Sequence, residues 1–345
     1  MATPAAAALA PAPGEARALV AGVHWLRLPV PGALKHINVW LLEDGPGFVL
    51  VDTGMDVPAA RAAWDGPLAA YLDGRPVTRI LVTHHHPDHA GLAALLARRH
   101  AAPVLMSARE LALLRRFADP AEDPSAGQWR LAAFARDGLV ANDESRAALS
   151  GALYRSVVSG VPGEVATLAD GATLEVGGRR WQVLELAGHT DAQLVLHDPV
   201  AGLLIAGDQV LPRITSNVGI YPEREDPDPV ASFLASFARL ESLEPEPLVL
   251  PSHGEVFRGL RARLAQLRAH HAATLERIQG LIASPLSARE LADRLYRAPL
   301  EGINLTLAVG ESLAHLEHLA LRGLIEREEP VGGPRRYRAI AAGRG

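Results

Sequence analysis

Along the first third of the chain, apolar residues come in short runs closed by turn residues: "GVHWLRLPV" from Gly22, "INVWLLED" from Ile37 and "GFVLVDTG" from Gly47. Runs of this length, rich in β-branched and aromatic residues, predict strands, and "DGPG" at Asp44 to Gly47 predicts a hairpin turn. The spacing then changes. "VPAARAAWDGPLAAYL" sets its apolar residues at helical intervals, "RILVT" at Arg79 to Thr83 returns to a strand, a helix follows from about Gly91 to His100, and "PVLMS" is a further strand.

From Ala108 to about Val158 the helical interval takes over in "LALLRRFA", "WRLAAFARDGL" and "SRAALSGALYRSVV", broken by "DPAEDPSAG". This predicts a largely helical insertion over 108–158. Strands resume in "ATLEV", "RRWQVLELAG", "QLVLHDPV", "GLLIAGDQV" and "EPLVLPSHG". Two sets of strands, each with helices along one side, predict an α/β fold of two sheets packed face to face with helices outside, a four-layer αββα sandwich.

Beyond about Arg261 the strand pattern stops. "RARLAQLRAHHAATLERIQGLI", "SARELADRLY" and "TLAVGESLAHLEHLALRGLI" predict three helices, the second opened by a capping box at Ser287 to Glu290, and a short β-like "RRYRAI" follows the "GGP" turn. Three helices and a β wing predict a small C-terminal winged-helix domain over 261–345, after a catalytic domain over 20–260. The opening "MATPAAAALAPAPGEA" lacks the basic start and leucine-rich stretch of an export signal, so residues 1–19 are expected to be a flexible tail.

Composition narrows the chemistry. A chain of 345 residues, 48% hydrophobic, is long and apolar enough for one large globular domain with a small one beside it. Its net charge of −5 gives no general pull toward nucleic acid or an anionic membrane surface. With no cysteine, disulfides, thiolate zinc sites and cysteine nucleophiles are excluded together, so any metal must be held by histidine and carboxylate. No stretch reaches the roughly 18 uninterrupted apolar residues of a membrane span. A cytoplasmic protein is expected.

"LVTHHHPDHAGL", residues 81 to 92, then stands out. His84 and His86, two residues apart after a strand, project to one side in extended geometry, while His85 points away. Pro87 turns Asp88 and His89 toward a neighbouring position. These nitrogen and oxygen donors suit zinc, iron or manganese. Five side chains in one loop exceed what one tetrahedral ion can use, and two adjacent metals would use them better. Three further candidates stand at strand ends: His189 in "LELAGHTDAQ", Asp208 in "LLIAGDQV" and His253 in "LVLPSHGE". Each sits beside a glycine, where a backbone can turn sharply to aim one polar side chain into a cleft.

Together these motifs resemble the metallo-β-lactamase-fold superfamily of hydrolases. The H-x-H-x-D-H motif stands at His84 to His89 behind "VDTG" at Val51 to Gly54, and "GHT" at Gly188, "GD" at Gly207 and "SHG" at Ser252 follow in the family's order. The resemblance covers about residues 20 to 260. It implies His84, His86 and His189 on one metal, Asp88, His89 and His253 on a second, Asp208 bridging them, and Asp52 orienting the loop. Two departures, Leu92 in place of a second glycine and "HTDAQ" after His189, bear on pocket shape more than on ligation.

The resemblance further implies two divalent ions, zinc first and iron or manganese after it, and a metal-bound hydroxide that attacks the substrate with Asp88 as the catalytic proton shuttle. The insertion, rich in leucine and alanine with Trp129 and Phe134, points to a small acyl substrate: a thioester, ester or lactone. Asn217 and Tyr221, on the loop after Asp208, are candidates to reach the site.

The C-terminal part resembles the winged helix that follows this hydrolase fold in a branch including single-stranded RNA endonucleases. A metal-dependent endoribonuclease is therefore the alternative, and a metal-sensing DNA binder without enzymatic activity a distant third. Phosphate binding needs clustered lysine and arginine, yet the helix that would read nucleic acid carries Glu311 and Glu317, leaving Arg335, Arg336 and Arg338 as the basic cluster. A small molecule, not nucleic acid or membrane, is the expected partner, and pairing of two chains as a homodimer stays open.

Overall fold

The computed structural model describes residues 10–123, 125, 127–297 and 300–340; residues 1–9 of the expected tail lie outside this set. Seven strands form the first sheet in chain order: β1 (Ala16–Val20), β2 (Val23–Pro29), β3 (His36–Asp44), β4 (Gly47–Val51), β5 (Val77–Leu81), β6 (Val104–Met106) and β7 (Val165–Thr167). The first four pair antiparallel and the rest parallel. A second sheet holds β8 (Thr173–Val176), β9 (Arg179–Leu186), β10 (Gln193–Asp198), β11 (Leu203–Gly207) and β12 (Leu248–Pro251), in the order β12-β11-β10-β9-β8. Its one parallel pair is β11 with β12.

Side-chain alternation builds the layers. On β2 to β4, Trp25, Trp40, Leu42, Val49 and Val51 point inward and meet Trp181, Val183, Leu194 and Leu196 of the second sheet. Their neighbours Leu26, Leu28, Val39, Leu41, Phe48 and Leu50 face the other way, against Trp64, Leu68 and Leu96 of the outer helices. Behind the second sheet, Val195 and Leu204 pack on Phe233 and Phe237 of helix Pro229–Glu241. The result is the four-layer sandwich.

Two expectations need correction. The tail expected at 1–19 is not all tail: Ala16–Val20 pairs with β2, from Ala16 opposite Leu26 to Val20 opposite Val23, and Leu19 and Val20 join the core between the sheets. Burying that apolar pair together with a ladder of backbone hydrogen bonds offsets the ordering cost of an Ala/Pro-rich segment. The single helix expected over "VPAARAAWDGPLAAYL" is two, Pro58–Asp65 and Pro67–Leu72. Pro67 has no N–H to continue the first helix and starts the second.

The 108–158 segment forms helices Ala108–Ala118, Gln128–Arg136, Asp143–Leu149 and Ala152–Ser156. Phe134, Leu139 and Leu149 from it share a core with Val309, Leu313 and Tyr337 of the C-terminal part. There, helices Leu260–Leu281, Ala288–Leu295 and Gly302–Leu321 precede a hairpin of β13 (Ile325–Glu328) and β14 (Arg336–Ala339). The Ser287–Glu290 capping box forms, with Ser287 N–H donating to Glu290 at 2.7 Å and Glu290 N–H to Ser287 at 3.2 Å. Helix Leu260–Leu281 straddles two cores: Leu260, Leu264 and Leu267 belong with Phe233, and Ile278 with Leu291. Among the described residues, no helix is long and apolar enough to cross a membrane.

Candidate metal centre

Strand ends deliver all seven candidate ligands to one place. His84, His86, Asp88 and His89 follow β5, His189 lies between β9 and β10, Asp208 follows β11 and His253 follows β12. Pro87 opens the short helix Pro87–Ala90, which lifts Asp88 and His89 out of the extended line of His84 and His86. Three donor sets result, each with its atoms within 4.8 Å of one another: His84, His86 and His189; Asp88, His89 and His253; and His84, His89 and Asp208. Asp208 lies between the first two sets. Its Oδ2 is 3.3 Å from His189 Nε2, and its Oδ1 is 3.5 Å from both His89 Nε2 and His253 Nε2.

Each of three rings is tied down on its far nitrogen. His89 Nδ1 donates to Asp52 Oδ2 at 2.7 Å, His189 Nδ1 to the Asn217 carbonyl at 2.8 Å, and His253 Nδ1 to the His36 carbonyl at 2.9 Å. In the neutral ring these bonds put the proton on Nδ1, so that Nε2 faces the centre as the atom able to ligate. All three Nε2 atoms are buried and lack a hydrogen-bond partner. A buried polar atom without a partner is costly, so three that converge define a place built for an electron-pair acceptor.

Charge points the same way. Burial, then the crowding of His89, His86 and His189, drives His84 well below the ordinary histidine range; burial and His189 do the same to His86. Both are neutral imidazoles, the form that ligates. Burial would raise Asp208, but His253 and His89 outweigh it and hold the carboxylate ionised. Burial likewise opposes a charged His89, yet Asp52, Asp88 and Asp208 pull it well above its usual range. Carboxylates gathered in so small a buried volume call for positive charge, which divalent cations supply. The residues fit divalent cations.

Several contacts around the loop carry little sequence signal. His85 does turn away from the cluster, and its Nδ1 lies 2.6 Å from Glu110 Oε2. Glu110 is fully buried and also accepts from His85 N–H at 3.1 Å and Ala192 N–H at 2.9 Å. Burial would raise its carboxyl, but His85 and these bonds hold it down at about 2. In the sequence Glu110 looks only like a first-turn acid behind the helix cap Ser107. The insertion reaches the loop through two aromatic side chains: Phe117 stacks on His85 at 5.6 Å, and the Tyr154 hydroxyl donates to the His85 carbonyl. Of the two candidates after Asp208, Asn217 reaches the centre through its backbone carbonyl, and Tyr221 donates to the Asn217 side chain at 2.5 Å.

Known proteins resemble this chain in sequence and fold. A beta-lactamase domain protein from Burkholderia ambifaria, of known crystal structure, is 38% identical, superposes with a TM-score of 0.85 and is covered over 96% of each chain. A probable metallo-hydrolase from Bacillus subtilis is 24% identical over 89% of this chain and 92% of its own length. A hydroxyacylglutathione hydrolase from Cereibacter sphaeroides is 25% identical over 70% of this chain and 72% of its own. Residues 275–340 match the metallo-beta-lactamase-like C-terminal domain. Residues 33–253, which contain every candidate ligand, match the metallo-beta-lactamase superfamily model, so the chain belongs to that superfamily and is a hydrolase of its fold.

Proposed function

We propose that the chain is a dinuclear metal-dependent hydrolase of small acyl substrates, a thioester, ester or lactone. The observation that carries this reading is the convergence of the three partnerless Nε2 atoms of His89, His189 and His253 on the Asp208 carboxylate. His84, His86 and His189 would hold one ion, Asp88, His89 and His253 the other, and Asp208 both. Zinc suits these donors, with iron and manganese next. When bound, the ions lower the pKa of a shared water toward about 7 and polarise the substrate's scissile carbonyl.

The chain's own groups do the rest. Asp88 has its Oδ2 3.3 Å from His253 Nε2 and lies at the edge of the cluster, 9% exposed. From there its carboxylate orients the attacking water, takes its proton and passes it to the leaving group. Asp52 and Glu110 hold the loop from behind, so that Asp88 meets the substrate in one position.

The acyl reading draws on the hydroxyacylglutathione hydrolase relative and on the charge of the C-terminal part. We read residues 20–260, with the 108–158 insertion, as the catalytic unit and 261–345 as a winged helix, supported by three helices and a hairpin in that order. The three arginines of its expected basic cluster are spent on neighbours: Arg335 lies 3.1 Å from Glu317, Arg336 3.2 Å from Glu290 and Arg338 2.6 Å from Glu326. A paired cluster offers little to a phosphate backbone, which weakens the endoribonuclease reading. Assaying zinc-loaded protein on a panel of thioesters, esters, lactones and single-stranded RNA tests the proposal. Turnover of at least one acyl class above RNA cleavage is expected, and RNA cleavage that exceeds every acyl substrate would overturn it.

A further inference from the structure

The segment between Asp208 and helix Pro229–Glu241 contains no regular secondary structure, yet it supplies the carbonyl that orients His189. Something other than a helix or sheet ladder must hold Asn217 in place. Both ends of its side-chain amide are engaged: Nδ2 donates to Glu311 Oε2 at 3.2 Å, and Oδ1 accepts from the Tyr221 hydroxyl at 2.5 Å. An amide satisfied at both ends cannot turn without losing both bonds. Glu311 is itself held, since its Oε2 also accepts from the Tyr296 hydroxyl at 2.8 Å.

The same helix grips the segment at two more points. Ile220 N–H donates to the Gly310 carbonyl at 3.0 Å. The Tyr221 ring lies so close to Gly310 that a Cβ there would meet its Cε1 at 2.7 Å, and a Cβ on Gly219 would meet its hydroxyl at 2.7 Å. Neighbouring glycines on both sides of one ring leave it a single seat.

The geometry points to Glu311 as a positioning residue for the metal centre: through Asn217, the C-terminal helix Gly302–Leu321 fixes the orientation of the His189 ring. This rests on the reading of His84, His86 and His189 as ligands of one ion. The C-terminal part then completes the site without touching substrate. A carboxylate there tunes metal affinity in the catalytic part.

Competition for zinc between the full-length protein and a chromogenic chelator tests this, with His189→Ala as the reference. Glu311→Ala should weaken one of the two zinc equivalents by about 10- to 100-fold, the usual cost of losing a group that orients a ligand, and leave the other within about twofold. Glu311→Gln should restore affinity to within a few-fold, because one amide oxygen can accept from both Asn217 and Tyr296. Wild-type affinity in Glu311→Ala, alongside loss in His189→Ala, overturns the positioning role alone. Wild-type affinity in His189→Ala overturns the metal-centre reading and this inference with it. If Glu311→Ala does not fold, Asn217→Ala decides, because it removes the amide through which Glu311 acts and keeps the backbone carbonyl: weaker zinc binding supports the role, and unchanged binding overturns it.

Discussion

Asp52 and His89, 37 residues apart in the chain, are joined by a 2.7 Å hydrogen bond from His89 Nδ1 to Asp52 Oδ2. The same carboxylate accepts from Thr83 N–H at 2.8 Å and from the Thr83 hydroxyl at 2.9 Å, so it ties the end of β4 to the start of the histidine loop. Asp52 does this from a left-handed backbone, φ 62°, a conformation that aspartate and asparagine tolerate better than other side chains.

Asp52→Asn therefore keeps the backbone geometry and removes only the charge and one acceptor. Its amide nitrogen cannot accept from the His89 ring, which loses its fixed tautomer. Zinc affinity at the Asp88–His89–His253 set should fall by about 10- to 100-fold in chelator competition, with little change in melting temperature. Asp52→Ala should lose the same affinity and also about 1–2 kcal/mol of stability, because alanine is strained at that φ.

Asp208 touches both donor sets, through Oδ2 toward His189 and Oδ1 toward His89 and His253. Removing it should cost more than removing any one histidine. Elemental analysis of wild-type protein purified without chelator should find roughly two equivalents of metal per chain, and Asp208→Ala should retain less than about one. Two retained equivalents in the variant would remove Asp208 from the shared position.

The histidine loop was legible in the sequence because its four side chains sit within six residues and their chemistry is explicit. His189, Asp208 and His253 were legible from strand-end glycines and from their order. What holds those candidate ligands was less so. The Asn217 and His36 carbonyls that orient His189 and His253 are backbone groups, and every residue has one. Glu110 is masked by a helix cap, although its carboxylate reaches back to His85. Strand β1 hid in an Ala/Pro-rich opening, and the three-residue β7 is too short to show a period. Pairing with a neighbouring strand, not local propensity, makes each of them a strand.

Gly188, before His189, has φ 121°, and a Cβ there would meet the backbone of Phe233 at 2.5 Å from Cα and 2.8 Å from N. Backbone cannot swing aside as a side chain can, so helix Pro229–Glu241 would have to lift off the second sheet. Gly188→Ala should destabilise the protein by roughly 2–4 kcal/mol and displace His189. Gly163, with nothing within 4 Å of an added Cβ and no positive φ, serves as the control. Gly163→Ala should stay within about 0.5 kcal/mol of wild type in denaturant unfolding.

A second group of histidines, away from the metal centre, should set the acid limit of stability. His271 is 1% exposed, stacks on His315 at 5.4 Å and lies 5.5 Å from the Phe233 ring. His315 Nδ1 donates to the Glu311 carbonyl at 2.8 Å, so its Nε2 is bare and faces His271 Nδ1 at 3.3 Å. Burial, then His315, His270 and His318, lowers His271 from 6.5 to about 3, and burial lowers His315 as well. Asp228 pairs with His318 at 2.8 Å, and no carboxylate is among the groups that act on His271. A histidine whose folded pKa lies below its unfolded value binds fewer protons when folded. Its contribution is therefore complete above about pH 6.5 and is lost as the pH falls from there toward 3. At about 1.4 kcal/mol per pH unit, lowering the pH from 7.5 to 5 should cost up to about 2 kcal/mol through His271. His271→Phe keeps the stacked ring and removes the titration. Its urea unfolding free energy should vary less between pH 7.5 and 5 than that of the wild type, and an equal slope in the two proteins would show that His271 does not carry the acid sensitivity.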